Sequence, residues 1–320
     1  MPMKRVRMQE LAAACGVASS TVSRALRGDS RIQAGTRERI REKARELGYR
    51  PNLAARALAA GKTKTLWMVL PGLDNPIERE AAQYASRFLL DAGYDLMVVQ
   101  HHHDPAIYAR ILRRLTQGMA DGAIIIPGIV PDSSMEDELL GRGYPLVFLD
   151  RHPRGLRAPT VTTANAAAAD TLASLLVEAG ARSLVVDFRE SNPVAEERRR
   201  GSLAAALRLG VPAALSEELD RSPGFLAGQD PIGFLHSSPR AFAGILKRDP
   251  PVLPRQRIFL GVFDAAADAP YLASETVVCI QDFEEMARRA VALILGACGG
   301  ETLIREIHTV PAKEFLRGPF

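Results

Sequence analysis

Cysteine is scarce in this chain and aromatic side chains are few. Cys15, Cys279 and Cys298 are the three cysteines among 320 residues, far apart and without a CxxC pair. An odd, scattered set excludes a disulfide framework and a thiolate zinc site, and reads as buried thiols in a reducing cytoplasm. Aromatic residues make up 6% of the chain, and Trp67 is the single tryptophan. It lies inside an apolar run and is expected in a core rather than beneath a ligand. No apolar run approaches the roughly 18 residues that a membrane span needs. The opening segment, MPMKRVRMQELAAACGV, has basic residues but no apolar core of secretory type. A cytoplasmic protein with no membrane partner is expected.

Catalytic signatures are missing as well. There is no nucleophile elbow and no dinucleotide glycine pattern. Gly61-Lys62-Thr63 resembles the end of a phosphate-binding loop, but the first glycine of that motif would fall at Arg56. His101-His102-His103 closes an apolar run; neighbours on a strand point to opposite sides, so the three cannot easily meet one metal. No enzyme activity, metal or cofactor is expected.

What is present is an uneven distribution of charge. Residues 1–64 hold 15 Lys and Arg against 5 Asp and Glu, whereas the remaining residues hold 26 against 32. A basic head on a mildly acidic body points to a polyanionic partner for the head. The chain is long enough for two or three domains.

Within the head, Met8–Cys15 has helix-forming residues and closes at Gly16, a natural helix stop. A second helix fits Ser19–Leu26, with Ser19 or Ser20 as its cap. Leu11, Cys15, Val17, Val22 and Ala25 recur at helical spacing as a shared core, and Ala12 lets the two helices approach. This is the helix-turn-helix pattern, whose second helix enters the major groove of double-stranded DNA. A third helix, Thr36–Leu47, brings Ile40, Ala44 and Leu47 onto the pair. Its Arg37, Arg39, Arg41, Lys43 and Arg45 read as a solvated face balanced by Glu38, Glu42 and Glu46. Beyond Pro51, Asn52 can cap a helix over Leu53–Leu58, too short to be stable alone in water.

From Leu66 the pattern changes. The runs LWMVLPG, YDLMVVQ, DGAIIIPG and YPLVFLD alternate with helical segments near Glu78–Ala92, Pro105–Gln117 and Met135–Arg142. TVTTA, SLVVDF, IGFLHS and RIFLGVF alternate with helices over Asn165–Ala179, Ala195–Leu209 and Arg240–Lys247. Continuous apolar strands separated by helices indicate parallel sheets covered on both faces. Two doubly wound α/β halves follow, with chain crossovers near Ala158, Asp282 and His308.

The head is similar to that of the LacI/GalR family of bacterial transcriptional regulators. The residues that carry the resemblance are Gly16-Val17, Thr21-Val22-Ser23-Arg24-Ala25-Leu26, Thr36, Leu47-Gly48-Tyr49, Pro51-Asn52, Ala55-Arg56 and Leu58. The resemblance implies that Ser19, Ser20 and Arg24 read base edges and that Thr21 and Ser23 hold phosphates. It implies that Asn52, Ala55, Arg56 and Leu58 form a minor-groove hinge, with Leu58 as the wedge. The body resembles the same family, whose two lobes are like those of periplasmic sugar-binding proteins. The expected domains are 1–51 (head), 52–64 (hinge and linker) and 65–320. The last divides into lobes of about 65–157 with 282–307 and about 158–281 with 308–320.

Ligands of parallel-sheet folds bind beyond the carboxyl ends of strands. Asp74 and Asn75, Asp150 and Arg151, Asp264 and Gln281 all stand there, and Arg198 matches the family's effector-binding arginine three residues before Gly201. The sequence departs from the family at Ile77 and Glu78 and at Ser202, where aromatics are usual, and at Ser237-Ser238-Pro239, where an Asn-Asp pair is usual. Few aromatics weaken the case for a neutral hexose, and the cluster of Arg151, Arg198 and Arg200 favours a small anionic metabolite beside a sugar or sugar derivative. The expectation is a repressor, dimeric on a pseudo-palindromic operator or assembled further into a tetramer, and controlled by a small-molecule effector. A solute-binding protein of the same body fold is the competing reading, as is a regulator without such an effector.

Overall fold

A computed structural model of the chain describes residues 6–52, 55, 57, 61–128, 133–219, 231–237, 258–264 and 276–318. The chain divides into two units, one ending at Thr63 and the other beginning at Lys64.

In the first unit, α1 (Met8–Cys15), α2 (Ser19–Leu26) and α3 (Ala34–Glu46) pack around Leu11, Ala12, Val22, Ala25, Ile40 and Ala44. Gly16 ends α1 with φ 65°, and its N–H reaches the carbonyls of Ala12 and Ala13. That left-handed turn reverses the chain between α1 and α2 at no steric cost, because glycine has no Cβ. The cap of α2 is Ala18 and makes no side-chain bond. Ser19 and Ser20 stand one residue too far along to cap, since both are already helical. α3 begins two residues before the expected Thr36, and Leu47 falls outside the helix at 37% exposure rather than in the core.

The second unit begins with β1 (Thr65–Leu70), α4 (Pro76–Asp91), β2 (Asp95–Gln100), α5 (Pro105–Leu115), β3 (Gly122–Ile125), α6 (Ser134–Gly141), β4 (Leu146–Leu149) and β5 (Thr160–Thr163). Strand β1 through β4 are parallel, and β1, β3 and β4 are almost wholly buried, as apolar runs with helices on both faces should be. The chain then enters a second sheet through α7 (Asn165–Glu178), β6 (Ser183–Asp187), α8 (Pro193–Leu209), β7 (Ala213–Leu215), α9 (Ser216–Leu219), β8 (Ile232–His236), β9 (Ile258–Phe263) and β10 (Thr276–Ile280). It returns with α10 (Phe283–Gly299) and β11 (Ile307–Val310), and ends on β12 (Glu314–Arg317).

The first sheet runs β11-β5-β4-β3-β1-β2 and is parallel throughout; the second runs β12-β10-β9-β8-β6-β7, with β12 alone antiparallel. TVTT therefore belongs to the first lobe: Thr160 pairs with Phe148 on one side and Ile307 on the other. The chain leaves the first sheet after Thr163 and again after Val310, five residues beyond Ala158 and two beyond His308, because both strands complete that sheet. The helix expected over Arg240–Lys247 lies outside the described residues. Of the cysteines, Cys279 is buried and Cys15 and Cys298 are half-buried, so two of the three expected buried thiols reach solvent. Trp67 is buried in a core of Tyr108, Leu112 and Phe148, as its apolar run suggested. Among the described residues no helix is long and apolar enough to cross a membrane, and no group of metal-ligating side chains occurs.

Candidate functional site

Helix α2 has two faces. Val22 and Ala25 are buried in the head core, so residues half a turn away must face outward. Ser20 and Arg24, four apart, are exposed on one side; Ser19, Thr21 and Ser23 are half-buried at its margins. Arg24 also lies near Asp29, whose pKa is lowered to about 2, chiefly by the side-chain and backbone bonds from Arg31. Asn52 Oδ1 accepts from the Ala55 N–H at 3.4 Å, and Ala55 and Ala57 are helical. Arg56 and Leu58 lie outside the described residues.

The basic face of α3 is less uniform than its sequence suggested. Lys43 pairs with Glu46 at 2.8 Å and Arg45 with Glu38 at 3.1 Å, in the expected solvated manner. Arg37 instead donates from Nη1 to the carbonyls of Ile32 at 2.6 Å and Asp29 at 3.3 Å. It fastens the segment between α2 and α3.

In the second unit the strand ends do gather polar side chains. Arg198, on α8, is buried and donates from Nε to Asn165 Oδ1 at 2.9 Å and from Nη2 to Gln281 Oε1 at 3.3 Å. Its guanidinium lies 3.6 Å from the centroid of the Phe263 ring, a cation–π contact strengthened by the absence of water. Gln281 also accepts from Thr163 Oγ1 at 2.7 Å. Asp264 accepts from the Gln281 N–H at 3.0 Å and from Gln281 Nε2. Burial raises the Asp264 pKa against both bonds, and lowers that of Arg198, with Asp150 and Asp264 opposing. Asp150 is thus close to both, although it follows β4 of the other sheet.

Asp150 and Asp264 share an unusual backbone. Each directly follows a strand and adopts the left-handed conformation, with φ 67° and 47°. Aspartate tolerates this region better than most residues, but such strain costs on the order of 1 kcal/mol and collects at functional sites.

Arg151 is held differently. It donates from Nη2 to Glu78 Oε1 at 3.1 Å and lies 3.3 Å from Asp150 Oδ2. Glu78 is buried, and its pKa is raised to about 7: desolvation outweighs the pull of Arg151, and Asp150 adds repulsion. Asn75 caps α4, its Oδ1 accepting from the Ile77 N–H at 3.2 Å, and its side chain also bonds Glu78. Asp74 is exposed beside these, near His103. Arg200 is exposed on α8 and does not join Arg198. The three arginines do not form one cationic cluster, because residues 198 and 200 lie on different faces of their helix. Ser202 is buried, and its hydroxyl has no hydrogen-bond partner among the described residues. Ser237 bonds Glu190, while Ser238 and Pro239 lie outside the described residues.

Several polar residues at the same strand ends carry no local signature. Asp187 closes β6 and accepts from His236 Nε2 at 3.0 Å and from Arg189 Nε at 2.5 Å; desolvation is the largest single effect and raises its pKa, but the bonds from His236, Ser216 and Arg189 together outweigh it and lower the pKa to about 2. Asn165, the first residue of α7, is buried; its Nδ2 donates to the Thr163 carbonyl at 2.9 Å while its Oδ1 accepts from Arg198. His101 is buried beyond β2. Its Nδ1 accepts from the His103 N–H at 3.2 Å, so Nε2 is the donor to the Ile126 carbonyl at 3.2 Å, and burial lowers its pKa to about 4. It is a neutral structural histidine. Gly201 has a packing reason: a Cβ there would stand 2.0 Å from the Ala166 carbonyl oxygen.

A helix-turn-helix head followed in the chain by an α/β body of two sheets is the architecture of a class of transcriptional regulators. Comparisons make the assignment specific. The family described as bacterial regulatory proteins, lacI family, matches residues 7–52, and that described as periplasmic binding proteins and sugar binding domain of LacI family matches residues 63–220. HTH-type transcriptional regulator RafR of Escherichia coli is 31% identical over 229 residues, 69% of this chain and 67% of that protein. The lac repressor dimer bound to operator and the anti-inducer ONPF superposes with a TM-score of 0.78 at 18% identity, covering 98% of each chain. A Cra transcriptional dual regulator from Pseudomonas putida, in complex with fructose 1-phosphate, superposes with a TM-score of 0.66 at 20% identity, covering 79% of this chain and 98% of that one. The chain belongs to the LacI family of bacterial transcriptional regulators.

Proposed function

We propose that the chain is a cytoplasmic, dimeric repressor that reads a pseudo-palindromic operator and is switched by a sugar or sugar derivative bound between its lobes. The observation that carries the first half is the exposure of Ser20 and Arg24 one turn apart on a helix whose opposite face is buried. Arg24 suits guanine O6 and N7 bidentately; Ser19 and Ser20 discriminate more weakly, and Thr21 and Ser23 hold phosphate. Paired heads on two half-sites follow from helix-turn-helix geometry. Leu58 is assigned the wedge that opens the central minor-groove step, with Asn52 capping its helix and Ala55 and Arg56 on the groove.

The second half is supported by the Arg198–Gln281–Asp264 network, which joins α8, β9 and β10 beside Asp150 of the other lobe. Charge-assisted bonds from such groups suit hydroxyls. A ligand touching both lobes favours one arrangement of them, and by linkage changes operator affinity through the hinge. Asp74, Asn75 and Arg151 belong to the same rim, Asn75 through Glu78. RafR and the other relatives are named as regulators.

Selection of random duplex DNA on the purified protein at fixed, moderate salt tests the reading; phosphate binding must not swamp specificity. An enriched pseudo-palindrome supports it. Enrichment of a single half-site, or none with and without added sugars, overturns the dimeric reader.

A further inference from the structure

Lys64 is the first residue of the body, and its backbone is held in a conformation that its side chain disfavours. It has φ 56°, in the left-handed region, although it is exposed and is not glycine. The ladder at the start of β1 uses other atoms: the Asp95 N–H donates to the Lys64 carbonyl and the Asp121 N–H to the Thr65 carbonyl, both at 2.9 Å. The Lys64 N–H lies beyond that ladder and donates to Asp121 Oδ2 at 3.0 Å. The Lys64 ammonium stands 4.2 Å from the centroid of the Tyr94 ring, a cation–π contact. A bond to a carboxylate is strong enough to hold a backbone in a region that it would otherwise leave.

Asp121 is itself fixed. It directly precedes β3, at the end of the parallel sheet opposite the strand ends that carry Asp74 and Asp150. Its carbonyl accepts from the Cys298 thiol at 3.5 Å, and the neighbouring Ala120 carbonyl accepts from Tyr144 Oη at 3.2 Å. Cys298 lies in the last turn of α10, a helix of 17 residues and about 25 Å whose other end follows Gln281 and its cap Asp282. One rigid element therefore connects the Gln281–Arg198 network with the residue that holds Lys64. On the other side of Lys64 the chain has little slack. The Lys62 N–H donates to the Ala57 carbonyl at 3.2 Å, and Gly61 is left-handed with φ 66°. Thr63 alone stands between a residue bonded to the hinge segment and one bonded to the body. A single residue offers two soft dihedrals, so the direction in which the chain leaves the body passes to the hinge segment with little loss.

We infer that Asp121 is a positioning residue for operator binding: by holding the Lys64 N–H it sets the direction of the linker before DNA is met. The inference rests on the operator reading above and adds a residue outside both the head and the cleft. The hinge segment is too short to be a stable helix alone, so ordering it on the operator costs chain entropy. A linker already held at Lys64 has less freedom to lose. Without the carboxylate, Lys64 returns to the extended region that non-glycine residues prefer, and the hinge has to be redirected as DNA binds.

The test compares the full-length parent with Asp121→Ala, Asp121→Asn and Lys64→Pro at one salt concentration. The probes are the duplex enriched by selection and a shuffled duplex of equal length; affinity is read by fluorescence anisotropy and bending by energy transfer between dyes on the duplex ends. Asp121→Ala should bind the selected duplex roughly tenfold more weakly and bend it less. It should bind the shuffled duplex as the parent does, because the phosphate contacts of the head are unchanged. Asp121→Asn keeps an oxygen acceptor and should stay within about threefold of the parent. Lys64→Pro removes the same bond from the donor side and forbids positive φ, so it should repeat the loss with Asp121 intact; if either disrupting variant fails to fold, the other decides. A fall in Tm with operator affinity and bending unchanged means a purely structural role and overturns the inference, as does an equal loss in Asp121→Asn. A parent that enriches no duplex overturns the operator reading and this inference with it.

Discussion

Replacing Gly201 by alanine isolates one contact that holds the buried Arg198, the proposed effector-binding arginine, in position. Gly201 lies within α8 where it crosses α7, and an added Cβ would stand 2.0 Å from the Ala166 oxygen and 2.7 Å and 2.9 Å from the Ala166 carbonyl carbon and Cα. All three atoms are backbone, so no side chain can swing aside. Restoring contact to 3.0 Å requires the helices to part by about 1 Å at that point. Overpacking of this kind costs roughly 1–3 kcal/mol, whereas glycine to alanine inside a helix gains roughly 0.5–1 kcal/mol. The clash wins, with a net loss of about 1–2 kcal/mol and a fall in Tm of roughly 3–8 °C. The Arg198–Asn165 bond, 2.9 Å long, spans the same crossing, so parting by about 1 Å takes it past hydrogen-bond range. The variant should therefore also bind its effector more weakly while keeping operator affinity. Gly35→Ala is the control: Gly35 sits in α3 with no atom within 4 Å of the added Cβ and gains only helix propensity. Scanning calorimetry and operator titration of both variants decide the matter. Gly201→Ala melting at or above the parent would refute the close-approach argument.

Three further outcomes are expected. Arg24→Ala should relax base preference at one position of each half-site and cost roughly 1–3 kcal/mol there; unchanged preference in a repeated DNA selection removes Arg24 from the readers. Arg37→Met should destabilise the head by roughly 1–2 kcal/mol by releasing the Ile32 and Asp29 carbonyls. Arg45→Met, on the solvated face, should change little; urea unfolding followed by circular dichroism compares them. Glu78 has a raised folded-state pKa of about 7 against 4.5, so it holds a proton in the folded chain that the unfolded chain has lost, and stability falls as pH rises through that window. His101, lowered from 6.5 to about 4, acts in the opposite sense over nearly the same range and conceals it. Glu78→Gln should therefore gain about 3 kcal/mol on the parent between pH 4.5 and 7; a difference independent of pH means that Glu78 is already ionised.

The helices and strands were largely legible in the sequence because their causes are local. Leu11, Val22 and Ala25 recur at helical spacing, Gly16 stands where a left-handed turn is needed, and α1 and α2 occupy the expected residues. Runs such as LWMVL and IGFLH could only be strands buried on both faces. Local pattern also placed candidate ligand residues at strand ends, since that follows from the parallel sheet. It could not assign their partners. Arg198 meets Asn165 33 residues away and Gln281 83 away, and Arg151 meets Glu78 across 73. Whether an arginine is available to a ligand depends on which carboxylate the fold sets beside it, and no periodicity records that. The same holds for TVTT, whose lobe is decided by hydrogen bonds to β4 and β11, and for Arg37, whose use is decided by where the segment before α3 turns. Local spacing determined the elements and the exposed face of α2; long-range packing decided which charges pair with which.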